Sequence, residues 1–140
     1  HRFAIGGLVS ALTWFGVGIV VAAGRVIVLG TAPAAWSIEA VFGPLVVGWI
    51  GLAVLASASH LLPAVGPGDL AAHGQQRRLL GRWATGRLIA ADAGVAALSV
   101  GLPLGSDLLI VAGIALAGVS LAATALLLAL AVGAGRRQGG

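Results

Sequence analysis

The sequence predicts an all-α, polytopic membrane protein with four transmembrane helices and both termini in the cytoplasm. Three observations carry that expectation. The chain of 140 residues is 59% hydrophobic and only 9% charged, whereas an ordinary soluble domain carries about 25% charged residues. Its mean hydropathy of +1.08 reflects more apolar surface than one soluble core of this size can hide. The apolar residues also fall into four long stretches, and a helix needs roughly 20 residues to cross the hydrocarbon. The same figures exclude a soluble enzyme, a disordered segment and a nucleic-acid-binding domain. The pI near 11.8 arises from eight Arg against four acids. Most of these Arg flank apolar runs, which is a topology signal and not a phosphate-binding face.

The expected spans are about 3–24, 37–62, 86–102 and 107–134. The first is too long for a signal-peptide core, and three more follow it, so it is read as a mature helix. The second stops at Pro63 and contains Pro44, a candidate kink. The third is the shortest, holds Asp92 and stops at Pro103. The fourth ends in Arg136-Arg137. Backbone polar groups in lipid must be satisfied internally, so the spans are helices. The alternation of an outer-membrane barrel strand is absent.

Arginine placement sets the orientation. Arg2, then Arg77, Arg78, Arg82 and Arg87, then Arg136 and Arg137 lie on one side: seven of the eight Arg. Arg25, Glu39 and Asp107 lie on the other. The positive-inside rule puts the richer side, and both termini, in the cytoplasm. The loop 63–85 is the one sizeable polar segment. Its LAAHGQQRRLLGRW predicts a short interfacial helix, with Leu79, Leu80 and Trp83 toward lipid and Arg77, Arg78 and Arg82 toward phosphates. The LPLGSD turn is tight, so the third and fourth spans form an antiparallel hairpin. Trp36 and Trp83 fit the aromatic belts of opposite faces, and Trp14 and Trp49 are expected to pack between helices. Arg25 and Glu39 are expected as helix-end charges in the headgroup zone.

The missing residue types add to this. Without Cys there is no disulfide framework and no thiolate metal site. A chain that opens on His1 and has no Met reads as processed or as a piece of a longer protein. Basic charge carried by Arg alone, in a bulk of Ala, Gly, Leu and Val, reads as a GC-rich bacterial coding bias. The expected location is then the plasma (inner) membrane, with the lipid bilayer and other membrane subunits or helices as partners.

Helix association in lipid relies on small residues and close packing. Gly86, Ala90 and Gly94 form the principal candidate ridge, with Gly6, Ser10 and Gly16, Ala53 and Ser57, and Gly113 and Ala117 as others. His60, Arg87 and Asp92 form the candidate intramembrane polar site, because an ionisable residue within a span is a functional candidate by default. One reading is a proton relay or a polar substrate site. The other is structural: Asp92 neutralised by Arg87, and His60 bonded to a carbonyl at interface depth. Arg87 and Asp92 are five residues apart, about 140° round a helix, so a partner for Asp92 from another helix is expected, with His60 nearest by depth. An axial haem role for His60 needs a second His at similar depth. His1 and His73 lie outside the spans, so this chain alone is not expected to hold haem. No metal site is expected, because His60, His73 and Asp92 lack the spacing of helix-borne ligands. No phosphate-binding glycine loop and no nucleophilic triad occurs.

The stretch GPLVVGWIGLAVLASASHLLPAVGPG, an Arg-bearing loop, and then GRWATGRLIAADAGVAALSVG resemble the membrane region of actinobacterial multicopper-oxidase and copper nitrite-reductase-like proteins. That region is itself similar to four-helix units of haem-copper oxidases. The pattern covers about residues 43–101, through Gly48-Trp49, Leu61–Pro63, Arg87 and, where those proteins often have Asn, Asp92. Their paired His has no counterpart in WSIEAVFGP, and no cupredoxin domain is present. The resemblance therefore implies the unit without ligands, with catalysis elsewhere in the chain or complex. Three functions follow as expectations: a non-catalytic membrane module of a copper or haem redox system, a small oligomeric transporter or channel subunit, and an assembly subunit that docks larger membrane partners.

Overall fold

A computed structural model of the chain describes residues 2–32 and 37–138. It contains five helices: α1 (Arg2–Leu29), α2 (Glu39–Val65), α3 (Leu70–Leu80), α4 (Ala84–Leu104) and α5 (Asp107–Gln138). No strand occurs among the described residues. All but α3 are long and apolar enough to cross a membrane, so the chain is a multi-pass helical membrane protein. His1, Trp36 and Gly140 lie outside the described residues.

The helices overrun the expected spans where a proline or charge was read as a stop. α1 continues past Gly24 and takes in Arg25, ending only at Gly30, whose φ is +76°. α2 passes through Pro63, which is buried, and ends at Gly66. A proline one turn from a helix end removes a single backbone bond, and the Gly66-Pro67-Gly68 run is what stops the helix. At Pro44 α2 does not run as a regular α-helix. Residues Phe42–Gly51 instead adopt a π-helix, whose wider turn accommodates a residue without an N–H. α4 likewise includes Pro103 and stops at Gly105, where φ is +62°. The Gly105 and Ser106 amides then donate to the carbonyls of Leu102 (3.2 Å) and Gly101 (3.0 Å), a Schellman closure that only a left-handed residue permits. The turn makes α4 and α5 the predicted antiparallel hairpin.

α4 is the central helix. It buries Arg87, Ala91, Gly94, Val95, Leu98 and Gly101 against α1, α2 and α5. Halfway along, Ala11, Leu52 and Ala91 meet, with Trp14 and Ala53 packed on them. Toward the termini, Leu80, Leu127 and Ala131 form a second cluster with Leu62 and Leu128. At the opposite end α2 and α5 diverge along α4 and leave a groove.

The expected interfacial helix is α3, but its apolar face does not lie on lipid alone. Asp69 caps it, its Oδ1 accepting from the Ala72 amide at 2.9 Å. Ala72, Gln76 and Leu80 are buried, and Leu80 packs on Leu127 and Ala131 of α5. Trp83 is exposed, as are Arg77, Arg78 and Arg82. The helix is thus docked across the end of the hairpin, its arginines outward.

The principal ridge is half realised. A Cβ at Gly94 would lie 2.6 Å from the Ala117 amide nitrogen and 2.9 Å from the Gly113 carbonyl oxygen, so the α4 and α5 backbones touch there. Ala90 is half-buried. Gly86 is exposed, and a Cβ there would meet nothing within 4 Å. A four-residue step drifts about 40° round the helix, so Gly86 has rotated about 80° off the Gly94 contact. Gly94→Leu should therefore destabilise the protein by about 1–3 kcal/mol or more, and Gly86→Leu should stay within about 0.5 kcal/mol of wild type. Unfolding titrations in mixed detergent would check both.

Candidate functional site

Arg87 sits one turn into α4, and its side chain folds inward to 4% exposure. Its guanidinium donates to Thr124 Oγ1 of α5 at 3.0 Å and to the carbonyl oxygen of Leu80, the last residue of α3. It also lies over the Phe3 ring of α1, 4.0 Å from the centroid. The Arg87 backbone carbonyl accepts from Ser120 Oγ at 2.9 Å, and Thr124 Oγ1 donates onward to the Ser120 carbonyl at 2.8 Å. None of these partners is a carboxylate. A planar fork suits this position, because its N–H groups reach two helices at once and its face stacks on an aromatic ring. The Leu80 carbonyl is one of the unpaired acceptors at a helix C-terminus, and Arg87 caps it.

Asp92 points away from Arg87. One carboxylate oxygen accepts from Ser10 Oγ at 3.0 Å and the other from Trp14 Nε1 at 2.9 Å. Ser10 and Trp14 are four residues apart on α1, so both face one stripe. Asp92 thus takes its partners from another helix, as the 140° offset from Arg87 led one to expect, and they lie on α1, where His60 of α2 was the candidate nearest by depth. His60 is exposed, one helical turn after the buried Ala56 of α2. Ser59 shares a cleft with Phe3 and Ala4, and Ala4 is six residues of α1 from Ser10, about 9 Å along the helix. His60 and Asp92 thus differ in depth. The three candidate residues do not converge. Among the described residues no group of three His, Cys, Asp or Glu is placed to hold a metal ion.

The residues that do the tying were not singled out in the sequence. Thr124 and Ser120 are an i, i+4 hydroxyl pair in an otherwise apolar helix, a signal that was there to read. Gln76, fully buried, donates through Nε2 to the carbonyls of Pro67 (3.0 Å) and Ala131 (3.2 Å), fastening the loop before α3 to α5. Trp14 packs inside as expected. Trp49 lies at the edge, its ring 4.5 Å from that of Phe15. Glu39 accepts from Ser37 Oγ at 2.9 Å.

The groove between α2 and the α4–α5 hairpin has a volume of about 540 Å³. Phe42, Val47 and Leu55 of α2, Leu98 of α4, and Ile114 and Leu121 of α5 are among the residues that line it. Ser120 also lines it, but its hydroxyl donates to the Arg87 carbonyl. Such a surface is suited to apolar contacts.

The fold and the site define a helical multi-pass membrane protein whose intramembrane polar groups join helix to helix. Compared with family models, curated proteins and solved structures, the chain matches none.

Because Asp92 holds two donors, Asp92→Asn should fold at a cost of about 1–3 kcal/mol, since one oxygen acceptor is lost, and Asp92→Leu should cost more. A double-mutant cycle of Asp92→Asn with Trp14→Phe should give a coupling of about 0.5–3 kcal/mol, and one with His60→Ala should be additive within about 0.5 kcal/mol. Coupling to His60 instead of Trp14 would contradict the assignment.

Proposed function

We propose that the chain is a non-catalytic membrane module that receives a transmembrane helix of a larger partner in the groove along α4. The groove is the observation that carries this reading. Two of its lining residues, Gly51 and Gly118, are small without need of the fold: a Cβ at Gly118 would meet nothing within 4 Å, and at Gly51 only the Val46 carbonyl at 3.6 Å. Small residues facing outward let another helix backbone approach closely, whereas lipid chains conform to any surface. The π-helix forms part of the same wall, and such segments are frequent at functional sites. The resemblance to membrane regions of copper-dependent oxidases and reductases makes a copper or haem redox complex the partner. The arginine distribution supports cytoplasmic termini and a bacterial plasma membrane. The transporter reading needs Asp92 on a hydrated path, and both of its oxygens are engaged by α1.

The chain has no Cys, so Gly118→Cys gives a single attachment point for a photocrosslinker in the membranes of the cells that make it. The expected adduct is a transmembrane peptide of a haem- or copper-containing complex. An adduct with lipid alone would overturn the docking reading. An adduct with a membrane protein free of redox centres would overturn the redox assignment.

A further inference from the structure

Near the termini a second, smaller cleft lies between the start of α1, the end of α2 and α3. It is lined by Phe3, Ala4, Ser59, Pro63, Arg77 and Leu80. Ser59 is 8% exposed, and its Oγ is buried with no hydrogen-bond partner. A buried hydroxyl without a partner is uncommon and calls for a reason. Arg77 of α3, an exposed residue, also lines the cleft. Behind the wall lies Arg87, stacked on Phe3 and bonded to the Leu80 carbonyl. One cationic residue, Arg77, and one unsatisfied hydroxyl thus border one small space, with a second cation, Arg87, behind its wall. The cleft encloses about 10 Å³, room for a single oxygen atom.

The geometry points to a binding site for the phosphate of an anionic phospholipid headgroup, with one phosphate oxygen seated on Ser59 Oγ and the rest held by Arg77. Charge complementarity selects an anion, because the contacts made by Arg87 are all neutral and leave its charge uncompensated inside the wall. Depth selects a lipid. Arg2, Arg77, Arg78 and Arg82 cluster at the same end of the bundle, the level at which arginines meet headgroups. Phe3, Ala4 and Pro63 are buried and form the apolar wall of the cleft, so acyl chains would run down the exposed outer faces of α1 and α2. Surface arginines alone would give only diffuse attraction to anionic lipid; the hydroxyl held in the cleft makes this a single site.

The test is native mass spectrometry of the full chain, titrated with phosphatidylglycerol or phosphatidylcholine, alongside thermal unfolding in nanodiscs of each lipid. Wild type should retain one phosphatidylglycerol about tenfold more tightly than phosphatidylcholine, and should unfold at a higher temperature in the anionic discs. Arg77→Gln and Ser59→Ala should each remove most of that preference, about a tenfold loss for a charge-assisted hydrogen bond. Arg136→Gln, an exposed arginine on α5 outside the cleft, should stay within about twofold. Ser59→Ala removes only an unpartnered hydroxyl, so its unfolding in phosphatidylcholine should match wild type, which confirms that the variant folds. Equal affinity for the two lipids would overturn the site, as would a Ser59→Ala protein that binds like wild type and leaves the hydroxyl to water. Displacement of the lipid by millimolar inorganic phosphate would overturn the lipid as the source of the anion.

Discussion

The structure depends on one buried guanidinium. Arg87 reaches α1 through the Phe3 ring, α3 through the Leu80 carbonyl and α5 through Thr124, and it belongs to α4. A charge at this depth is costly unless hydrogen-bonded. Its two hydrogen-bonded nitrogens and its ring contact need all four elements in place together, with Nε left without a partner, and this fixes how α3 sits across the end of the hairpin. The Ser120 hydroxyl on the Arg87 carbonyl and the Thr124 hydroxyl on the Ser120 carbonyl extend the tie along α5.

With Arg87 and the Gly94–Ala117 contact holding α5 to α4, and Asp92 holding α1 to α4, the central helix is gripped from two sides. α2 packs on α1 and on the outer half of α4, and α5 stands clear of it along the groove. The open wall is thus a consequence of where the polar ties lie. They fasten α1, α3 and α5 to α4, and none of these ties fastens α2 to α5. Under the proposed docking, a partner helix would meet a surface already open and need not first separate packed helices.

The four spans, the hairpin and the amphipathic character of α3 were legible in the sequence, because each is written in local composition: long apolar runs, a short LPLGSD turn, and Arg77, Arg78 and Arg82 set among Leu79, Leu80 and Trp83. Boundaries at Pro63 and Pro103 were not, since a proline in the last turns of a helix removes one bond without stopping the helix, and the glycines that follow decide the end. Asp92 and Arg87 were legible as the polar groups that matter, and the 140° between them as a reason they do not pair. Their partners were not. Ser10, Trp14, Thr124 and Phe3 lie 37 to 84 positions away in sequence, and only the packing of α1 and α5 on opposite sides of α4 brings them near. The groove was invisible for the same reason: no local pattern records that two helices fail to meet.

Hydrogen–deuterium exchange of the chain in nanodiscs, wild type against Arg87→Met, tests the role of Arg87 most directly. Methionine keeps most of the packing and removes the fork. Loss of the cap on Leu80 should speed amide exchange along Leu70–Leu80 by about tenfold or more, the effect of one charged hydrogen bond. The Ser10–Trp14 region of α1, tied separately through Asp92, should exchange as before. An α3 that exchanges at the wild-type rate in Arg87→Met would contradict the claim that this guanidinium holds the elements together.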